Sequence, residues 1–164
     1  MSVLLFAGKQ RRNVIRTSET MTESFSLSPE EAACACQGSL HPLARTGLAL
    51  FNQGEYFEAH EALELAWRDE TGPVRELYRG ILQIGVAYYH ILRGNYRGAY
   101  KMFKRSRPWL EPFPDRCLGI DLAKFRQDYR QVEAALHRLG PDGLKNFNRS
   151  LMKPIYYTEG ENQP

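Results

Sequence analysis

Residues 74–92, Val74 to Leu92 (VRELYRGILQIGVAYYHIL), decide the fold. Leu77, Tyr78, Ile81, Leu82, Ile84, Val86, Ala87, Tyr88, Tyr89, Ile91 and Leu92 cover nearly every angle of a helix. A helix that is apolar all round must be covered all round, so this one belongs at the centre of a bundle. It is too short for a bilayer, which needs about 20 consecutive apolar residues, and it runs into Arg93. Gly80 and Gly85 each cost about 1 kcal/mol of helix propensity relative to alanine, which points to a neighbouring helix approaching closely at both.

Outward from that centre, the spacing predicts five more helices. Ser28-Pro29-Glu30-Glu31 reads as a capping box and opens a short helix to about Gln37. A second runs from about Pro42 to Gln53 and stops at Gly54. In the third, from Glu55 to about Asp69, Tyr56, Ala59, Leu63, Ala66 and Trp67 make an amphipathic stripe. After the central helix, a fifth is expected over Tyr96 to about Ser106, ended by Pro108, Pro112 and Pro114. A sixth spans about Asp121 to Leu139 and is closed by Gly140-Pro141, leaving a short helix and a loose terminus beyond.

Two glycine breaks align at an offset of 40 residues: Phe51-Asn52-Gln53-Gly54-Glu55-Tyr56 against Ile91-Leu92-Arg93-Gly94-Asn95-Tyr96, with Ala59 answering to Ala99. That is the pattern of tetratricopeptide-like helical hairpins. The expected fold is therefore all-α: a compact helical bundle with one apolar central helix surrounded by about five others, built from such hairpins. The expected division is a tail over 1–25, one domain over 26–155 and a loose C-terminus over 156–164.

Charge adds less than its total suggests. The net charge of +3 is already present in residues 1–20, where Lys9, Arg11, Arg12 and Arg16 oppose Glu19. From Met21 onward, 18 basic residues balance 18 acidic ones, so overall basicity says nothing about the domain. The tail lacks the charge order of a secretory signal; its readings are a disordered or mis-started segment ahead of Met21, or an organellar address. Three cysteines, Cys34, Cys36 and Cys117, form an odd set, from which a disulfide framework is not expected and a reducing cytoplasm is. Cys34-Ala35-Cys36 lacks the second Cys or His pair of a zinc site.

Chemistry concentrates in Glu58-Ala59-His60-Glu61-Ala62-Leu63-Glu64, where helical spacing sets carboxylates around an imidazole. His60 falls beside Tyr56, Leu63 and Trp67 and is expected to face inward, where a buried polar group needs partners. Gln83 and His90, seven residues apart, are the polar residues on one face of the central helix. The candidate polar pocket is thus His60, Glu61, Glu64, Trp67, Gln83 and His90, with Glu58 and Asp121 as additional members; the alternative reading of Asp121 is the N-cap of the last helix. A basic face is expected from Arg93, Arg97, Lys101, Lys104, Arg105 and Arg107. Phosphate-binding glycine loops and nucleophile elbows are missing from the sequence, which sets those enzyme classes aside.

Several strings resemble domain-of-unknown-function family 309 as a set covering about residues 40–125. They are Phe51-Asn52-x-Gly54-x-Tyr56-Phe57-Glu58-Ala59-His60-Glu61-x-Leu63-Glu64-x-x-Trp67, Leu77-Tyr78-x-Gly80-Ile81-Leu82-Gln83, Tyr89-His90, Arg93-Gly94-Asn95-x-x-Gly98-Ala99 and Gly119-Ile120-Asp121. The resemblance implies a helical bundle around one central helix and implies no activity. Some relatives carry Asp where this chain has Glu61, which argues against a metal geometry that needs the shorter side chain.

The leading functional expectation is a cytoplasmic helical binding or scaffold module whose inner polar cluster is chiefly structural. One alternative is a metal-assisted hydrolase using His60, Glu61, Glu64 and His90 with a divalent metal. Another is RNA contact through the basic stripe 93–107, although nucleic acid ranks low as a partner. A second copy of the chain stays open as a partner, and a membrane does not.

Overall fold

The structure, a computed structural model, describes residues 25–158. The tail assigned to residues 1–24 and the last residues, 159–164, lie outside the described residues, and with them the start-site and targeting readings.

Six helices account for most of the described chain: α1 (Pro29–Ala35), α2 (Pro42–Asn52), α3 (Tyr56–Asp69), α4 (Arg75–Leu92), α5 (Tyr96–Leu110) and α6 (Leu122–Gly143). The capping box forms as read, with Ser28 Oγ accepting from Glu31 N–H at 3.1 Å and Glu31 accepting from Ser28 N–H at 2.8 Å. α2 is capped by an unexpected residue: His41 Nδ1 accepts from Leu43 N–H at 3.1 Å, while its Nε2 reaches Asp69 at 2.6 Å across to the end of α3.

The repeated glycine breaks form the same turn twice. Gly54 and Gly94 have φ of 81° and 73°, which favours glycine. Glu55 N–H donates to Leu50 O and Gly54 N–H to Phe51 O; correspondingly, Asn95 N–H donates to His90 O and Gly94 N–H to Ile91 O. Each is a Schellman stop followed at once by a new helix. The result is two helical hairpins, α2–α3 and α4–α5, packed in sequence so that α4 lies between α3 and α5.

No residue of α4 is exposed. Its buried side carries Leu77, Tyr78, Ile81, Ile84, Ala87, Tyr88 and Ile91. Against it stands an aromatic cluster in which Phe51 meets Tyr56, Tyr88 and Phe125 at ring-centre distances of 5.1, 5.5 and 6.1 Å. Gly80 is needed for close approach, since a Cβ there would lie 2.5 Å from Leu110 Cγ. Gly85 departs from expectation: a Cβ there would meet Phe51 at 3.6 Å, an ordinary contact, so nothing near it excludes a methyl group.

Two further expectations are corrected. Pro108 does not end α5, which continues to Leu110 with Pro108 on its exposed side. A proline removes one intrahelical bond, and here the burial of Leu110 under Gly80 holds the last turn in place. Gly140, with φ of 66°, leaves the helical conformation and closes the long stretch of α6 as read, and a short helical turn follows it to Gly143. Residues 156–158 are not loose: Ile155 is clamped at both N–H and C=O by Asn52, Tyr157 bridges to Ile120, and Thr158 N–H donates to Gly119 O.

Cysteine pairing is the third correction. A small antiparallel hairpin, β1 (Arg116–Cys117) with β2 (Ile120–Asp121), turns through Leu118 and Gly119 at φ of 51° and 80°. It presses Cys117 against the end of α1, where Leu118 N–H donates to Cys36 O, and Cys36 and Cys117 form a disulfide. Cys34 remains a free, exposed thiol. The cytoplasmic reading rested on unpaired cysteines and loses that support. Among the described residues, no helix is long and apolar enough to cross a membrane.

Candidate functional site

α3 and α4 run antiparallel, and two contacts fix their register. Phe57 meets Tyr89 at 5.6 Å between ring centres, and Trp67 meets the Arg79 guanidinium at 5.5 Å. Interpolation between them sets Gln83 level with Leu63 and Glu64. Along this seam Phe57, His60, Glu64 and Trp67 recur at helical spacing on α3, and Arg79, Leu82, Gln83, Val86 and Tyr89 on α4. All are half-buried except Phe57, which is exposed.

Five of the six pocket residues, all but Glu61, are half-buried; His90 lies apart, at the end of α4. Its Nδ1 is 3.2 Å from Asn95 Nδ2, and its ring edge lies close against Gly98 at the start of α5. Partial burial disfavours the imidazolium and lowers the His90 pKa below its ordinary value. Glu61 and Glu58 are exposed. Glu64 is shared, 3.5 Å from His60 Nε2 and 2.5 Å from Arg68. Asp121 takes its structural reading: its carboxylate accepts from Lys124 N–H at 2.9 Å and caps α6.

Within the seam, polar atoms are left over. His60 Nδ1, Trp67 Nε1 and Gln83 Oε1 are buried and have no hydrogen-bond partner among the described residues. Each such atom costs about 1–3 kcal/mol of lost hydration, so three on one seam make a substantial local deficit. The fixed network anticipated between His60 and Gln83 does not supply their partners.

As a metal centre the seam is poorly equipped. No group of three His, Cys, Asp or Glu side chains among the described residues is arranged to hold an ion. His60 and Glu64 would contribute two donors, while Glu64 is already engaged by Arg68.

The basic face is present: Arg93 at the end of α4 and Arg97, Lys101, Lys104 and Arg105 on α5 are exposed, and Arg107, also exposed, is tied to the buried Glu133 at 2.5 Å. Three features escaped the sequence reading. Arg75, Trp67, Arg79 and Trp109 form a ladder of alternating cations and rings, with centre distances of 4.7, 5.5 and 4.0 Å. Asp128 and Glu133 are carboxylates buried on α6, Asp128 paired with Lys124. Tyr88 OH and Asp128 Oδ2 are further buried polar atoms without partners. The i, i+4 pairs Lys124/Asp128 and Glu133/His137 were the available signal for the carboxylates.

Two relatives resemble part of this chain. A protein of Bacillus subtilis (strain 168), "Uncharacterized protein YpuF", is 40% identical over 86 residues, covering 48% of this chain and 49% of the relative. An "Uncharacterized protein" of Aquifex aeolicus (strain VF5) is 26% identical over 96 residues, covering 58% of this chain and 29% of the relative. The chain thus spans half or less of the length of these relatives. The stretch holding both glycine turns and the whole α3–α4 seam, residues 44–102, matches the model of the family described as Domain of unknown function (DUF309).

Proposed function

We propose that the chain is a helical binding module whose recognition surface is the α3–α4 seam. The observation that carries this reading is the set of three buried, unpartnered polar atoms on His60, Trp67 and Gln83. Once these half-buried side chains turn outward, an indole N–H donor, an amide acceptor and an imidazole nitrogen, rimmed by Phe57 and Tyr89, match the needs of a peptide. Such a partner has N–H and C=O groups to satisfy and side chains to bury. Sites that break the rule of satisfied polar groups are where function is expected to offset the stability lost.

The Cys36–Cys117 bond favours an oxidising compartment over the cytoplasm expected from the cysteine count. The hydrolase reading gains nothing from the arrangement, because His60 and His90 have separate partners.

Gln83→Leu tests the proposal. It removes an unpartnered polar atom at similar volume, so it is expected to leave stability unchanged or raise it by up to about 1 kcal/mol in denaturant titrations. Peptides selected from a random display library on the native chain are expected to bind Gln83→Leu and Phe57→Ala at least tenfold more weakly. Destabilisation by Gln83→Leu, or peptides that bind both variants as well as the native chain, would overturn the reading.

A further inference from the structure

A separate cleft of about 200 Å³ opens where the end of α4 meets the chain after α6. Its apolar wall is confined to Leu92 and Phe147 over the core residues Ile91 and Leu144, and most of the surface the cleft presents is polar. Its polar wall carries two cations, Lys145 and Arg149, and no carboxylate lines it. Both cations are exposed, and neither joins any of the ion pairs among the described residues.

From this combination we propose that the cleft binds a small amphiphilic anion: a carboxylate or phosphate head on a body about the size of one aromatic ring. Size supports a ring, because about 150 Å³ is enough for benzene and this cleft, at about 200 Å³, has room for a head group as well. Charge supports an anion. The C-terminal end of α4 brings the equivalent of about half a negative charge. Its last carbonyls, on Tyr89, His90 and Ile91, already accept bonds from Arg93, Asn95 and Gly94. Two full positive charges outweigh that residue of negative potential. The apolar wall then separates this site from the basic face of α5, where cations stand on a solvated surface without a floor.

Isothermal titration calorimetry on the full chain tests the proposal, using benzoate, phenyl phosphate, benzyl alcohol and inorganic phosphate as probes. Benzoate and phenyl phosphate are expected to bind, their ratio telling which head group the site prefers. Benzyl alcohol and inorganic phosphate are each expected to bind at least tenfold more weakly. The double variant Lys145→Gln with Arg149→Gln, both surface positions, is expected to lower affinity for the two anions at least tenfold with an unchanged melting temperature. Phe147→Leu is expected to weaken the aromatic anions while leaving inorganic phosphate unaffected. Equal binding of benzyl alcohol, equal binding of inorganic phosphate, or full affinity in the double variant would each overturn it.

Discussion

The guanidinium of Arg79 lies 4.0 Å from the centre of the Trp109 ring and 5.5 Å from that of Trp67, so one cation on α4 joins α5 to α3. Arginine suits this position because its flat, weakly hydrated head stacks on two rings at once. Arg79→Ala is expected to cost about 1–2 kcal/mol in denaturant titrations, and Arg79→Lys to recover only part of it.

The two glycines of α4 should respond with opposite signs to the same substitution. Gly80→Ala places a methyl 2.5 Å from Leu110 Cγ, and the overpacking, about 1–3 kcal/mol, exceeds the gain of about 1 kcal/mol in helix propensity. Gly85→Ala meets Phe51 at 3.6 Å, so the propensity gain survives. Thermal melts should show Gly80→Ala below the native chain and Gly85→Ala at or above it.

Closing a loop across a sequence separation of 81 residues restricts the unfolded chain strongly. Reduction, or Cys36→Ala with Cys117→Ala, is expected to cost up to about 4 kcal/mol, whereas Cys34→Ser is expected to be neutral. Thiol titration in denaturant should find one free thiol per chain before reduction and three after it.

Burial lowers the pKa of His90 relative to the unfolded chain, whose value is near 6.5. The unfolded state therefore binds the proton first as pH falls. The contribution of His90 is complete above about pH 6.5 and is lost progressively below it, until folded His90 also protonates. In an NMR titration its ring proton should shift with a midpoint below 6.5, and His90→Gln should flatten the decline in stability between about pH 7 and 5.

What the sequence discloses follows from which interactions are local. The run from Leu77 to Leu92 announced the central helix through periodicity alone, and the matching turns at Gly54 and Gly94 announced the hairpins, because capping is settled within six residues. His60, Trp67 and Gln83 were identifiable as polar positions on apolar faces for the same reason. Their lack of partners was not, since satisfaction depends on the register between two helices. Pairing of Cys36 with Cys117 depends on a hairpin that folds far along the chain, and spacing carries no record of it. Asp128 was passed over because it stands beside the apolar stripe of Phe125, Tyr129 and Val132, and its burial follows from what covers α6.

The bond between Cys36 and Cys117 also gives the molecule a topology. α2, α3, α4 and α5 lie between the two cysteines, so the seam and all of residues 44–102 are enclosed in a covalent ring. A single protease cut inside that ring, for instance in the exposed turn between α3 and α4, would open a circle without making two molecules. Both walls of the recognition surface would remain tethered after the nick, and only reduction would let them part.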